Sequence, residues 1–177
     1  MLVYLDDFLV IAPSREKCLE HMSIMANMFR SLGLQFKDSK TQGPAQCLEF
    51  LGITFETVDM FATVSAPRRA KITAKIATFL ATAPREEDPV QRRALASVLG
   101  SLQWVAMFYL EGRALLRRGY TQLYAFPEHL DPKAAWHKSV HIALPEAVRV
   151  DLRTWQALLQ TQPRRMLYLR DPLHNGD

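Results

Sequence analysis

Apolar and polar positions along this chain mark short strands and one helix up to about Val64, and a helical period from Ser65 onward. Met1-Leu-Val-Tyr-Leu5 and Phe8-Leu-Val-Ile-Ala12 are two apolar runs of strand length separated by Asp6-Asp7, which predicts a β-hairpin with the acidic pair at or next to its turn. Ser14 is suited to N-cap a helix running to about Leu32, with Cys18, Met22, Met25, Phe29 and Leu32 on one stripe and Gly33 at its end. After a turn, a short strand and a polar stretch to Thr41, Leu48 to Phe55 alternates again, interrupted at Leu51-Gly52. That interruption predicts one strand with a bulge or close backbone approach. A second strand, about Met60 to Val64, is expected to pair with it across a turn near Val58-Asp59.

From Ser65 the pattern becomes helical. Pro67 stands at the start of a helix with Ile72, Ile76, Phe79 and Leu80 on its apolar face and Arg68, Arg69, Lys71 and Lys75 beside them, ended by Pro84. Asp88-Pro89 reads as the N-cap and first residue of a helix reaching about Tyr109, burying Leu95, Val98, Leu99, Leu102 and Val105. Gly112 to Tyr120 predicts a third helix on which Arg113, Arg117 and Arg118 share a broad face. Asp131-Pro132 and Pro145 open two more, the latter running to about Leu159, and Gln162 to Asp177 reads as a loop or frayed end. The expected fold class is α+β: antiparallel hairpins with one packed helix, followed by a helical bundle.

With 177 residues and 49% apolar content the chain can bury a core. Its net charge of +4 is unevenly spread: residues 1–60 hold five Lys/Arg against eight Asp/Glu, and residues 61–177 hold 17 against 10. An acidic part able to hold metal and a basic part able to hold phosphate backbone suit a nucleic-acid enzyme. A solvated basic surface is the alternative. Cys18 and Cys47 belong to no metal-binding or disulfide pattern. No apolar run reaches membrane-spanning length and no basic leader precedes the first one, so an intracellular protein, cytoplasmic or nuclear, without membrane contact is expected.

Asp6-Asp7 carries the chemistry. Adjacent carboxylates repel and are costly to bury without a cation. Mg²⁺, or Mn²⁺ in its place, takes oxygen ligands from one or two carboxylates together with substrate phosphates. An acidic pair in a tight turn also occurs with no ligand, because Asp tolerates turn geometry.

Tyr4-Leu5-Asp6-Asp7 resembles the Tyr-x-Asp-Asp box of reverse transcriptases, and the motifs downstream of it keep that family's order. The loop Leu32 to Thr41 resembles the element after the metal hairpin, which carries a lysine near the incoming nucleotide; Lys40 takes that place, with Lys37 the competing choice. Phe50-Leu51-Gly52 resembles the primer grip, where glycine lets backbone approach the primer phosphates. Val98-Leu-Gly-Ser-Leu-Gln-Trp104 resembles the thumb helix that lies along the minor groove of the primer–template, Gly100 leaving room for a sugar and Trp104 supplying flat contact area. The family often has a glutamine one turn before that glycine, where this chain has Ala96. Packing of Gly100 and Trp104 into the core is the alternative.

The resemblance is to reverse transcriptases of eukaryotic retroelements, closest to the tyrosine-recombinase group that includes the DIRS elements; it covers residues 1–124 well and 125–160 weakly. It implies a division into the rear part of a palm (1–64), a helical thumb (65–124) and a connection (125–177) leading toward a ribonuclease H domain that is absent. It also implies a primer–template duplex and a deoxynucleoside triphosphate as partners. Asp6 and Asp7 would hold metal, Tyr4, Leu51 and Gly52 would lie near primer or nucleotide, and Lys40 would assist the leaving group. Gly100, Trp104, Arg68, Arg69, Lys71, Lys75, Arg113 and Arg117 would hold the duplex. The family's other metal-binding aspartate and its fingers would lie upstream of Met1, so a fragment inactive alone is expected. A nucleic-acid-binding module without chemistry and a helical protein-interaction domain are the two competing expectations.

Overall fold

The computed structural model describes residues 2–34, 37–85, 88–125 and 140–167. The chain is α+β and forms two compact units, Met1–Met60 and Phe61–Asp177.

In the first unit, strands β1 (Leu2–Tyr4) and β2 (Asp7–Leu9) pair antiparallel with Val3 opposite Phe8 and Tyr4 opposite Asp7. Leu5 and Asp6 form the two-residue turn, and Leu5 turns the chain at a φ of 55°. Helix α1 (Arg15–Ser31) comes next, and the Ser14 hydroxyl accepts the Lys17 N–H at 3.2 Å, as an N-cap should. Its far end is a Schellman motif: the Gly33 N–H donates to the Arg30 carbonyl at 3.0 Å and the Leu34 N–H to that of Phe29 at 2.9 Å. Gly33 adopts the positive φ of 77° that this motif needs. Phe29 is buried with its ring centroid 4.7 Å from that of Phe8, so the helix packs on the hairpin.

The stretch expected to be one bulged strand is instead a second hairpin. β3 (Cys47–Phe50) pairs antiparallel with β4 (Ile53–Glu56), Leu48 opposite Phe55 and Phe50 opposite Ile53. Leu51 and Gly52 both take positive φ, 54° and 80°, as a type I′ turn requires. Alternation alone cannot tell a bulge from such a turn. Leu51-Gly52 supplies just one glycine, so the first turn position carries a side chain in a left-handed conformation.

The second unit is a bundle with two short strand pairs. β5 (Phe61–Val64) pairs antiparallel with β8 (Arg165–Met166), a strand in a tail expected to be loop. Helix α2 (Ala66–Ala81) has a proline in its first turn and buries Ile72, Ile76 and Phe79. β6 (Val90–Gln91) pairs with β7 (His141–Ile142). Helix α3 (Arg92–Val105) therefore starts later and ends earlier than its apolar pattern predicts. Asp88 does not cap it: its carboxylate accepts the Arg85 N–H at 2.8 Å, and residues 90 and 91 go to the strand pair. Helices α4 (Gly112–Tyr124) and α5 (Glu146–Leu158) complete the bundle. α3 packs against α2 and α4, and α5 against α4 and α2. The helix expected at Asp131-Pro132 lies outside the described residues.

Two buried arginines tie the bundle's ends. The Arg92 Nε donates to the Leu123 carbonyl at 2.8 Å, at the C-terminal end of α4. Arg149, 2% exposed, donates to the carbonyls of Ala83, Arg85 and Leu144, the first two just beyond α2. A guanidinium has five donors in a fixed fork, so Arg149 can serve several loop carbonyls at once, while the charge of Arg92 also suits the C-terminal end of the α4 dipole.

Candidate functional site

The acidic pair lies at the tip of the first hairpin, Asp6 in the turn and Asp7 at the first position of β2, opposite Tyr4. Both are exposed, and among the described residues neither carboxylate has a hydrogen-bonding or ion-pair partner. No group of three or more His, Cys, Asp or Glu that could hold a metal is found among the described residues. Two adjacent exposed carboxylates are oxygen donors of the kind a hard divalent ion takes, but a full coordination shell needs more oxygens than they supply. Leu5, held at positive φ beside the pair, is 83% exposed. A left-handed non-glycine residue costs about 1–3 kcal/mol, and such residues gather where a chain must present its neighbours in one orientation.

Lys40 closes a 3₁₀ turn, Asp38–Lys40, in which its N–H donates to the Lys37 carbonyl at 2.9 Å. Both lysines are exposed. Leu51 and Gly52 stand at the tip of the second hairpin, Leu51 exposed. Backbone at a two-residue turn is open to a ligand strand in a way that mid-strand backbone is not.

In the second unit, α2 and α3 together build one face. Ser97, Gly100, Ser101 and Trp104 stand at i, i+3, i+4 and i+7 of α3, one stripe of the helix. Gly100 is exposed, and a Cβ added there would meet nothing within 4 Å among the described residues. The glycine is thus not a helix-packing residue, and Trp104 is half-buried rather than in the core. The Arg68 guanidinium carbon lies 4.8 Å from the Trp104 ring centroid, a cation–π contact that fixes the ring's orientation. Lys75 donates to the Ser97 carbonyl at 2.6 Å and to the Ser101 hydroxyl at 2.7 Å, fastening α2 to α3. Burial, and then the charges of Arg68 and Lys71, hold its ammonium below the usual lysine range.

The expected cations differ in what they are free to do. Arg69 donates to the Val64 carbonyl at 2.6 Å and Arg113 to that of Ala106 at 3.3 Å. Lys71 and Arg117 are exposed and have no side-chain partner among the described residues. Arg118 pairs at 3.4 Å with Asp151, a carboxylate almost wholly buried, and so serves the α4–α5 contact. The sequence alone does not single out Ser97 and Ser101, because serine is common on helix surfaces; their spacing to Gly100 and Trp104 is the available signal.

The α2–α3 face thus brings Arg68 and Lys75 of α2 against Trp104, Ser97 and Ser101 of α3, with Gly100 exposed between them. Residues 1–55, which contain the acidic hairpin and α1, match the family model "Reverse transcriptase (RNA-dependent DNA polymerase)". The chain is also similar to the Gag-Pro-Pol polyprotein of Bovine leukemia virus (isolate Australian), with 28% identity over 137 residues, 77% of this chain. It spans 8% of that polyprotein's length. No solved structure matches it. The family match, which covers under half of the chain, includes the hairpin's acidic pair.

Proposed function

We propose that the chain contributes the metal-binding hairpin, primer grip and thumb of an RNA-directed DNA polymerase. The observation that carries this reading is the Asp6-Asp7 pair, without a side-chain partner among the described residues, at an exposed hairpin tip within the residues that match the reverse-transcriptase family. A divalent ion bound there would lower the pKa of the attacking hydroxyl and offset charge on the phosphates. Asp6 and Asp7 would supply oxygen ligands to it, and its remaining ligands would have to come from substrate, water or further carboxylates. Tyr4, opposite Asp7, packs beside the primer end. The Leu51–Gly52 backbone places the primer strand for in-line attack of its 3′-hydroxyl on the α-phosphate of a deoxynucleoside triphosphate. Lys40 neutralises the departing pyrophosphate or gives it a proton. Gly100, Trp104, Arg68 and Lys71 hold the product duplex on its minor-groove side, while Lys75 holds the helices that carry them. The retroelement group is a proposal too: the tyrosine-recombinase retrotransposons, including the DIRS elements.

The test is binding of the chain to a labelled RNA–DNA hybrid titrated over salt, with Mn²⁺ binding monitored by electron paramagnetic resonance. Hybrid affinity is expected to fall steeply with salt and with Trp104→Ala, and Mn²⁺ bound in the presence of hybrid and triphosphate is expected to fall with Asp6→Asn. Hybrid binding indifferent to Trp104→Ala would sink the thumb assignment. Mn²⁺ binding indifferent to Asp6→Asn would instead favour a nucleic-acid-binding module without chemistry.

A further inference from the structure

Helix α4 carries a second stripe, on which Arg113 and Arg117, two of the cations expected to hold the duplex, stand beside two tyrosines. Arg113, Arg117, Tyr120 and Tyr124 stand at i, i+4, i+7 and i+11, while Gly112, Leu116, Gly119 and Leu123 bury the neighbouring face. Those eleven steps span about 16 Å of helix. The rings of Tyr120 and Tyr124 are stacked, 14° from parallel with centroids 6.3 Å apart. Tyr120 is half-buried and fixed by the bundle; Tyr124, at the end of the stack, is 62% exposed. Two guanidiniums continue the stripe. Arg113 spends only its Nε on the Ala106 carbonyl, and Arg117 has no side-chain partner among the described residues. No carboxylate stands at any position of the stripe.

We infer that this stripe binds a single-stranded nucleic-acid segment: Arg113 and Arg117 take its phosphates and an unpaired base stacks on the open face of Tyr124. The inference rests on the reading that the second unit grips nucleic acid and names what this further surface takes. Cations alone would accept duplex and single strand alike. A stacked, half-fixed tyrosine pair does not, because bases within a duplex already lie on their neighbours and present no face to a side-chain ring. Unpaired bases do, and aromatic platforms beside a basic track are how proteins hold them without regard to sequence. Tyr120 supplies the fixed end of the stack, so ordering Tyr124 against a base costs little rotamer freedom.

The test is fluorescence-anisotropy binding of the full 177-residue chain to two probes, a short oligothymidylate and a blunt-ended RNA–DNA hybrid. Tyr124→Ala is expected to weaken oligothymidylate binding by roughly 5- to 100-fold, the range for losing one base–aromatic stack, and to leave blunt-hybrid binding unchanged. Tyr124→Phe, which keeps the ring, is expected to bind oligothymidylate like the wild type. Oligothymidylate binding that is absent, or indifferent to Tyr124→Ala, overturns the inference, and a protein partner then becomes the occupant to seek. Blunt-hybrid binding and its response to Trp104→Ala report separately on the duplex grip, so the two readings fail independently.

Discussion

Gly112, the first residue of α4, faces the six-membered ring of Trp155 so closely that a Cβ built on the glycine would lie 2.2 Å from Cη2 and 2.3 Å from Cζ2 of the indole. Trp155 is 0% exposed, and its ring has a second neighbour in Tyr109, edge-on at 6.0 Å. The indole is rigid and enclosed, so an added methyl has to move backbone. Gly112→Ala is expected to destabilise the second unit by about 1–3 kcal/mol or more. The nearest atoms that a Cβ at Gly119 meets belong to the Leu99 side chain, at 2.6 Å from Cδ2, which a rotamer change can relieve. The ordering expected in thermal denaturation is wild type, then Gly119→Ala, then Gly112→Ala; the reverse order for the two variants would refute the packing argument.

Gly100 separates fold from function in the opposite sense. Among the described residues nothing lies within 4 Å of a Cβ added there, and the residue is mid-helix. Alanine is favoured over glycine in a helix interior by about 1 kcal/mol. Gly100→Ala is therefore expected to hold or raise the melting temperature while weakening RNA–DNA hybrid binding. A variant that binds the hybrid like the wild type would show that the open space at Gly100 is not where the duplex sits.

Such contrasts mark what the amino-acid pattern can and cannot carry. The hairpin at Asp6-Asp7, the Ser14 cap and the Gly33 terminus are local, so short-range chemistry suffices to place them. Leu51-Gly52 is ambiguous in the pattern because a bulge and a two-residue turn interrupt alternation alike, and the choice rests on the backbone angle of Leu51. The pattern misplaces the start of α3 because Asp88 is as good a cap as any, and the pairing of Val90-Gln91 with His141-Ile142, some 50 residues on, leaves no local trace. Among the candidate site residues, the acidic pair is legible from composition. Which arginines are spent inside the bundle is not: Arg149 and Arg117 look alike until their neighbours are known.

Arg149 shows how much a buried charge can matter to this fold. Its guanidinium is 2% exposed and donates to three carbonyls, with the Glu146 carboxylate 3.9 Å from Nε. Arg149→Met preserves much of the volume but leaves the buried Ala83 carbonyl without its donor. A loss of about 2–4 kcal/mol is expected in urea denaturation, because charge-assisted bonds disappear and an acceptor stays dry. Arg149→Lys should recover little, since one ammonium cannot span the same fork of acceptors. Full recovery by lysine would mean that charge alone, and not geometry, holds the end of α2.

Tyr109 links bundle stability to alkaline pH. It is 1% exposed, and its hydroxyl donates to the Thr161 carbonyl at 2.9 Å. Burial raises its pKa above the usual phenol range, opposed more weakly by the Arg69 charge. The folded state thus favours the neutral phenol. Its contribution is fully present below the unfolded pKa of about 10 and is lost as pH rises through the higher folded value, where the unfolded chain binds fewer protons than the native one. Stability of the second unit is therefore expected to fall above about pH 10. Tyr109→Phe should cost about 1 kcal/mol at neutral pH for the lost hydrogen bond, yet show a shallower decline in the alkaline range. Tyr120, raised in the same direction, keeps the decline from vanishing in that variant. Denaturant midpoints measured from neutral to alkaline pH decide the matter: parallel declines for the two proteins would remove Tyr109 from the titration, whereas convergence at high pH assigns the difference in slope to its buried hydroxyl.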